Sequence, residues 1–209
     1  MEDNARTPGP VIGGRPMPAA RDRIRRYCGL VWSGGHPETW AFRYYDAIPH
    51  AGPGVGPVDV LAAAAVHPGL SRADLAYFVE RAPEIADWLA QIPANATLVD
   101  VDSSVFESVL AMATWTEGPS LTLLSKVLHR VRPGLIPPVD RHTLDWYRHV
   151  TGERTARAAW PQLLHALRAD VRAGDAELMA IADEVEAGTG VRLSGVRLID
   201  IAVWMGTAR

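Results

Sequence analysis

Apolar and polar positions divide the chain into segments with helical spacing, separated by short breaks rich in proline and glycine. Within most segments the apolar side chains recur every three or four positions, which predicts amphipathic helices. These segments begin at residue 21 and cover 58–66, 71–82, 83–91, 103–115, 119–132, 141–150, 156–172, 175–187 and the residues after Gly195. There is no set of period-two strands and no internal repeat. The pattern therefore predicts an all-α fold of eight or so helices joined by short loops.

The ends of several helices carry their own signals. Ser71 followed by Asp74 has the spacing of a capping box, and Asp140 precedes a helical run that ends at Gly152. Residues 1–20 carry proline, glycine and few apolar side chains, which predicts a flexible, disordered or extended arm. We therefore expect one compact domain over residues 21–209, with a hairpin-like region at 105–150.

Composition narrows the class of protein. The 209 residues carry a net charge of −3, which argues against a globally basic nucleic-acid binder. A single cysteine, Cys28, excludes an internal disulfide and a cysteine-rich metal site. No run of 18 apolar residues occurs, and the N-terminus lacks the apolar stretch of a signal peptide. We expect a cytoplasmic protein without a membrane span.

The basic residues are very unequally distributed, because 20 are arginine and only Lys126 is lysine. A lysine that persists in such a composition is a candidate for a position where a guanidinium does not fit. Lys126 lies within a helix, fourteen residues before Asp140. Pairing with a carboxylate and contact with a phosphate are the two roles that this position favours.

Candidate chemistry concentrates in residues 115–150, where a glycine turn, a helix and an extended Pro-Pro segment lead to Asp140. Free N–H groups and the positive end of the helix dipole stabilise an ionised carboxylate at this place. Such a carboxylate can activate a water or stabilise an oxocarbenium-like centre. An ordinary helix N-cap is the alternative role, and the two are compatible.

This stretch resembles the hairpin and the catalytic aspartate of the helix-hairpin-helix DNA glycosylase superfamily. The likeness rests on Glu117-Gly118-Pro119, the following helix and the segment PPVDRHTLDWYR, and it covers about 35 residues. It implies that Asp140 is the catalytic aspartate and that Gly118 belongs to a phosphate-binding hairpin. Members that cleave the strand carry a Schiff-base lysine where this chain has Ser120, Leu121 and Thr122. The resemblance therefore implies a monofunctional glycosylase rather than a lyase.

Most of the chain resembles a family of uncharacterised, mainly actinobacterial proteins, a domain of unknown function. The likeness rests on YYD at 44–46, the helix at 58–66, GPSLTLLSKVLHRVRPGLIPPVD at 118–140 and RLIDIAVWM at 197–205. It implies a fold similar to that of the helix-hairpin-helix glycosylases and leaves the activity open.

The other candidate polar and aromatic residues each have two possible roles. Helical spacing puts Thr122, Lys126, His129 and Arg130 on one polar face, which is either solvated or in contact with phosphate, together with Arg132, Arg141 and His142. Tyr45, Asp46 and Trp146 either line a base pocket or pack in the core. Asp200 lies in an apolar helix, so we expect a buried partner such as an arginine.

These observations favour N-glycosidic bond hydrolysis with Asp140 and Lys126 as the candidate catalytic residues. The expected substrate is DNA or a nucleoside-like small molecule. No cofactor is implied, and no pair of histidines has the spacing of a metal site. A non-catalytic nucleic-acid-binding module, an enzyme that acts on a small molecule, and a pure interaction domain remain as alternatives.

Overall fold

The computed structural model describes residues 9–31, 41–67, 69–115 and 117–207, and helices make up nearly all of its regular structure. The helices are α1 Ala20–Tyr27, a π-helical turn Phe42–Asp46, α2 Pro57–Ala64, α3 Arg72–Glu80, α4 Ala82–Ala90, α5 Ser103–Leu110, a 3-10 turn Ala111–Thr114, α6 Leu121–Val131, α7 Arg141–Thr151, α8 Ala156–Ala173, α9 Asp175–Thr189 and α10 Gly195–Thr207. The predicted all-α class is confirmed. The likeness to helix-hairpin-helix glycosylases stays a prediction.

Helix α10 lies at the centre of the fold, in contact with α1, α7, α8 and α9. Each of its residues from Val196 to Val203 is buried. A helix that is covered all round is expected to be apolar, yet this one carries Arg197 and Asp200. Their charges must therefore be satisfied inside the protein.

Helix α6 is the second buried helix, and its polar face is covered as well. Lys126 is 5% exposed, His129 4% and Arg130 8%. The solvated alternative for this face is therefore wrong, because only Thr122 among its four residues is half-buried rather than buried. The polar ends of these side chains instead contact protein carbonyls and carboxylates.

The N-terminal segment differs from the expected free arm over its described part. Val11–Ile12 and Arg15–Pro16 form a small antiparallel hairpin, turned by Gly13 and Gly14, which both have positive φ. Ile12 is buried, and Gly13 N donates to Asp170 Oδ2 at 2.6 Å. The hairpin thus packs on the helical domain, whereas residues 1–8 lie outside the described part of the chain.

The hairpin-like region at 105–150 consists of α5, the 3-10 turn, a turn at Gly118, α6, a connection and α7. Gly118 has φ +100°, and a Cβ there would lie 2.2 Å from the Tyr77 ring. The backbone conformation and the close packing against Tyr77 both explain why this position is a glycine. Thr116 lies outside the described residues.

No helix in the described ranges is long and apolar enough to cross a membrane.

Candidate functional site

Asp140 caps helix α7, as the sequence predicts. Its Oδ1 accepts hydrogen bonds from the backbone N–H groups of His142 at 2.8 Å and Thr143 at 3.1 Å. These bonds fix the orientation of the carboxylate. The other oxygen, Oδ2, lies 3.9 Å from Lys126 Nζ. One oxygen therefore serves the cap, and the second takes part in an ion pair.

Lys126 reaches this position from the middle of buried helix α6. Its Nζ donates to the carbonyl oxygen of Val66 at 2.7 Å, and its side chain is only 6% exposed. Burial lowers the pKa of the Lys126 ammonium, while the nearby Asp140 carboxylate opposes this shift. The result is an amine that gives up a proton more readily than a surface lysine.

The two side chains line a cavity of about 80 Å³. Its ionisable wall residues are Tyr27, Lys126, Asp140, Arg197 and Asp200, and its apolar wall residues are Ala41, Ala65, Val66, Ile201 and Trp204. The sequence predicted that Lys126 and Asp140 belong to one site, and the fold brings them together. The volume is well below the roughly 300–1,000 Å³ of pockets that hold a whole small molecule.

In the wall of this cavity, Arg197 joins three side chains in a buried network. Its Nε donates to Asp46 Oδ1 at 2.7 Å and its Nη2 to Asp46 Oδ2 at 2.8 Å. It also donates to Asp200 and, at 2.5 Å, to the Tyr27 hydroxyl, which in turn donates to Asp46 at 2.6 Å. Burial by itself lowers the pKa of Arg197, and Asp46, Tyr27 and Asp200 more than reverse that shift. The guanidinium is therefore held in its charged form.

Asp200 connects the Arg197 network to the Asp140 pair. The expected buried arginine partner is Arg197, one helical turn away, and Thr143 donates to Asp200 Oδ1 at 3.2 Å. Burial raises the pKa of Asp200 to about 6, Arg197 opposes this shift, and Asp140 adds to it. Two carboxylates and a lysine thus influence one another around a single cavity.

Residues 20–207 match the model of DUF6308, a family of unknown function. The chain belongs to this family. The matched range contains all the residues of the cavity wall. No curated protein and no solved structure matches the chain. The expected likeness to a family of unknown function is confirmed, whereas its actinobacterial source and glycosylase-like fold stay predictions.

In this DUF6308 chain, the basic residues expected to touch phosphate are bound within the protein. His129 bonds through Nδ1 to the Ile136 carbonyl at 2.7 Å. Arg130 donates to Asp59, and Arg132 donates to the Leu89 carbonyl at 2.9 Å. Neighbouring helices cover these side chains, so they form no basic surface.

The remaining candidates occupy several different places. Tyr45 is buried, and its hydroxyl donates to the Lys126 carbonyl at 2.7 Å, so it supports the helix that carries the lysine. Trp146 donates to the Ile12 carbonyl at 2.9 Å and packs against the N-terminal hairpin. His142 is half-buried and bonded to Thr207 at 2.9 Å. None of these three lines the cavity.

Three further candidates also lie outside the cavity wall. Arg141 is exposed, Thr122 is half-buried at the start of α6, and Gly118 lies in the exposed turn before that helix. The structure therefore brings Asp140 and Lys126 together, with Asp46 one contact away through Arg197.

Sequence reasoning missed Tyr27, Arg197 and Trp204 as wall residues. The signal for Arg197 is its spacing of three from Asp200 in an otherwise apolar helix, which favours an ion pair within that helix. Nothing in the local pattern of Tyr27 indicates a contact with residues 19 and 170 positions away.

His129 gives the protein a pH dependence that can be measured. Burial and the nearby Arg197 guanidinium lower the pKa of His129 to about 4, whereas an unfolded histidine has a pKa of about 6.5. Between these values the unfolded chain binds the extra proton, so stability from this residue rises with pH. We expect the free energy of unfolding of the wild type, minus that of His129→Asn, to grow by about 2–3 kcal/mol from pH 4 to pH 7.

Urea unfolding at several pH values measures this difference. Asparagine keeps a donor for the Ile136 carbonyl but does not titrate. Asp200 makes the free energy of unfolding fall as the pH rises, because its raised pKa lets the folded state bind more protons than the unfolded chain below pH 6. Since Asp200 is present in both proteins, its share cancels in the comparison. A difference that stays constant with pH would contradict a buried neutral His129.

Proposed function

We propose that the protein hydrolyses an N-glycosidic bond in a nucleoside-like small molecule at the Asp140–Lys126 pair. The observation that carries the proposal is the placement of Asp140 Oδ2 3.9 Å from Lys126 Nζ in the wall of one cavity. A fixed carboxylate next to a buried ammonium offers a base and an acid at the same place.

In the proposed reaction, Asp140 Oδ2 takes a proton from a water as the water oxygen bonds to the anomeric carbon. The bond from that carbon to the base nitrogen breaks, and the nitrogen receives a proton from Lys126. The lowered pKa of Lys126 favours this transfer. Return of the proton from Asp140 to Lys126 restores both groups, so the step consumes only substrate and water.

The small volume of the cavity sets a condition for this proposal. About 80 Å³ holds only the reacting part of a nucleoside, so the wall must move when substrate enters. Lys126, Asp140 and Arg197 are fixed by hydrogen bonds and ion pairs. The apolar wall residues outside this bonded group, such as Ala41 and Trp204, are therefore on the side that must open.

A small substrate is favoured over duplex DNA because the predicted phosphate-contacting residues are buried. His129, Arg130 and Arg132 bond to protein acceptors, and the chain has a net charge of −3. Binding to duplex DNA depends on accessible basic side chains along the backbone. The same aspartate chemistry on a free nucleoside does not.

The test is release of free base, followed by chromatography, from two sets of substrates. One set contains purine and pyrimidine ribonucleosides and deoxyribonucleosides, and the other contains duplex oligonucleotides with single modified bases. We expect release from at least one nucleoside and none from the duplexes. Release from duplexes alone would replace the small-molecule proposal by a DNA glycosylase, and no release from either set would overturn the hydrolase proposal.

A further inference from the structure

A second polar cluster lies around Asp59, on helix α2. Arg130 Nε donates to Asp59 Oδ1 at 3.3 Å, and His50 Nδ1 lies 3.0 Å from both carboxylate oxygens. The backbone N–H of Gly56 donates to Oδ2 at 2.9 Å. Both oxygens of this buried carboxylate are therefore already engaged.

Arg130 and His50 each keep one nitrogen without a partner. Arg130 Nη1 donates to the Tyr45 carbonyl, but Nη2 is buried and has no hydrogen-bond partner. His50 Nε2 is buried and unpartnered in the same way. Buried nitrogens of this kind are nearly always paired in proteins, so Arg130 Nη2, an N–H group with no acceptor, offers a donor to a ligand.

Arg130 and His50 also line the same cavity, which has a volume of about 210 Å³. Arg192, Ser194 and Arg197 belong to its wall, and Ser194 directly precedes helix α10. The positive end of the α10 dipole is therefore at the wall. The cavity is separate from the one at Asp140, and Arg197 is the residue that lines both.

Arginine predominates among the charged residues of the wall. Arg130, Arg192 and Arg197 line the cavity together with Asp46, and each arginine also has a carboxylate partner. Both oxygens of Asp46 accept bonds from Arg197. Arg192 Nη1 is bound to Asp183 and Glu186, and its Nη2 lies 3.7 Å from Met179 Sδ, so an anion at the mouth would share these donors with the existing partners.

We propose that this cavity, which we call the Arg130 cavity, binds a phosphoryl group, either as inorganic phosphate or as a phosphate monoester. Arginine offers planar, paired donors that match phosphate oxygens, and a helix N-terminus favours the same charge. A volume of about 210 Å³ accommodates the phosphoryl group and is below that of pockets for larger organic ligands.

Isothermal titration calorimetry of the full chain tests the proposal with three probes: inorganic phosphate, ribose 5-phosphate and acetate. Chloride keeps the ionic strength constant, which removes nonspecific screening from the comparison. We expect saturable binding of a phosphate probe at a concentration of roughly 10 mM or below, and no saturation with acetate. Tighter binding of ribose 5-phosphate identifies a monoester as the ligand, whereas equal or tighter binding of inorganic phosphate identifies the free ion.

Two variants locate the site. Arg130→Lys keeps a positive charge beside Asp59 but lacks the second terminal nitrogen, and we expect phosphate affinity to fall about tenfold. Arg192→Gln removes a partly exposed arginine at the mouth together with its ion pairs to Asp183 and Glu186. It provides a test even where Arg130→Lys does not fold, and we expect a several-fold loss. Arg148→Gln is the matched control, because Arg148 is exposed, bound to Asp145 and outside the cavity.

Three results would overturn the proposal. They are an absence of saturable phosphate binding, binding of acetate in preference to phosphate, and phosphate binding by Arg192→Gln that equals binding by Arg148→Gln. Circular dichroism without phosphate checks that each variant is folded. Because the readout is binding at the Arg130 cavity, failure here leaves the hydrolase test at Asp140 unaffected.

Discussion

Replacing Arg197 with methionine is expected to lower the free energy of unfolding by about 3–5 kcal/mol at pH 7. The guanidinium is 5% exposed and binds Asp46 through two nitrogens, Asp200 through a third contact and the Tyr27 hydroxyl. Methionine fills a similar volume but leaves two carboxylates buried without a cation. Removing one side of a buried ion pair is costly because the remaining charge has lost its solvation.

Urea denaturation measures this loss, and Arg148→Met is its matched control. Arg148 also pairs with an aspartate three positions away, Asp145, but both side chains are about half exposed. Exposed pairs of this kind contribute about 0–1 kcal/mol. If Arg197→Met does not fold, the triple variant Arg197→Met, Asp46→Asn, Asp200→Asn removes the stranded charges and should recover stability. Equal losses from the two methionine substitutions would contradict the role assigned to Arg197.

The local parts of the fold follow from the sequence because their causes are local. The capping box of Ser71 and Asp74 forms as predicted, with Asp74 N donating to Ser71 Oγ at 3.1 Å. Gly152 ends α7 with φ +70°, a conformation that glycine adopts at little cost. Asp140 caps the same helix. Each signal needs only neighbours within one or two turns.

The environment of α6 could not be predicted from its own pattern. Periodicity correctly separates its apolar face from the face of Lys126, His129 and Arg130, but it says nothing about what covers the polar face. The partners of Lys126 and Arg130 lie 60 and 71 positions away, at Val66 and Asp59. A buried polar face and a solvated one have the same sequence pattern until those partners are known.

The N-terminal hairpin escaped prediction for a related reason. Its strands have two residues each, too short for a period-two pattern, and its sequence is rich in proline and glycine. What holds it is tertiary: Gly13 N binds Asp170, and Trp146 binds the Ile12 carbonyl. The cavity at Asp140 could not be predicted for the same reason, because its wall residues come from helices that are far apart in the chain.

Replacing Asp140 with serine is expected to reduce the proposed hydrolysis by about 10²–10⁴-fold while α7 keeps its cap. Serine is as good an N-cap as aspartate, so the hydrogen bonds now made by Oδ1 have a replacement. The oxygen next to Lys126, Oδ2, has none. The variant therefore separates the capping role of Asp140 from its proposed chemistry.

Asp102→Ser supplies the control, because Asp102 caps α5 through the same type of bond, from Val105 N to Oδ1 at 2.9 Å, and is exposed and outside the cavity. Base release from the best nucleoside substrate gives kcat/KM for both variants, and urea unfolding gives their stability. We expect Asp102→Ser to unfold within about 1 kcal/mol of the wild type. Asp140→Ser should lose more stability, because it leaves the buried Lys126 ammonium without its carboxylate partner, and activity should be lost only in Asp140→Ser. Both aspartates cap a helix, but only in Asp140 does the second carboxylate oxygen face Lys126. Equal activity in the two variants would therefore mean that Asp140 serves as a helix cap and not in the reaction.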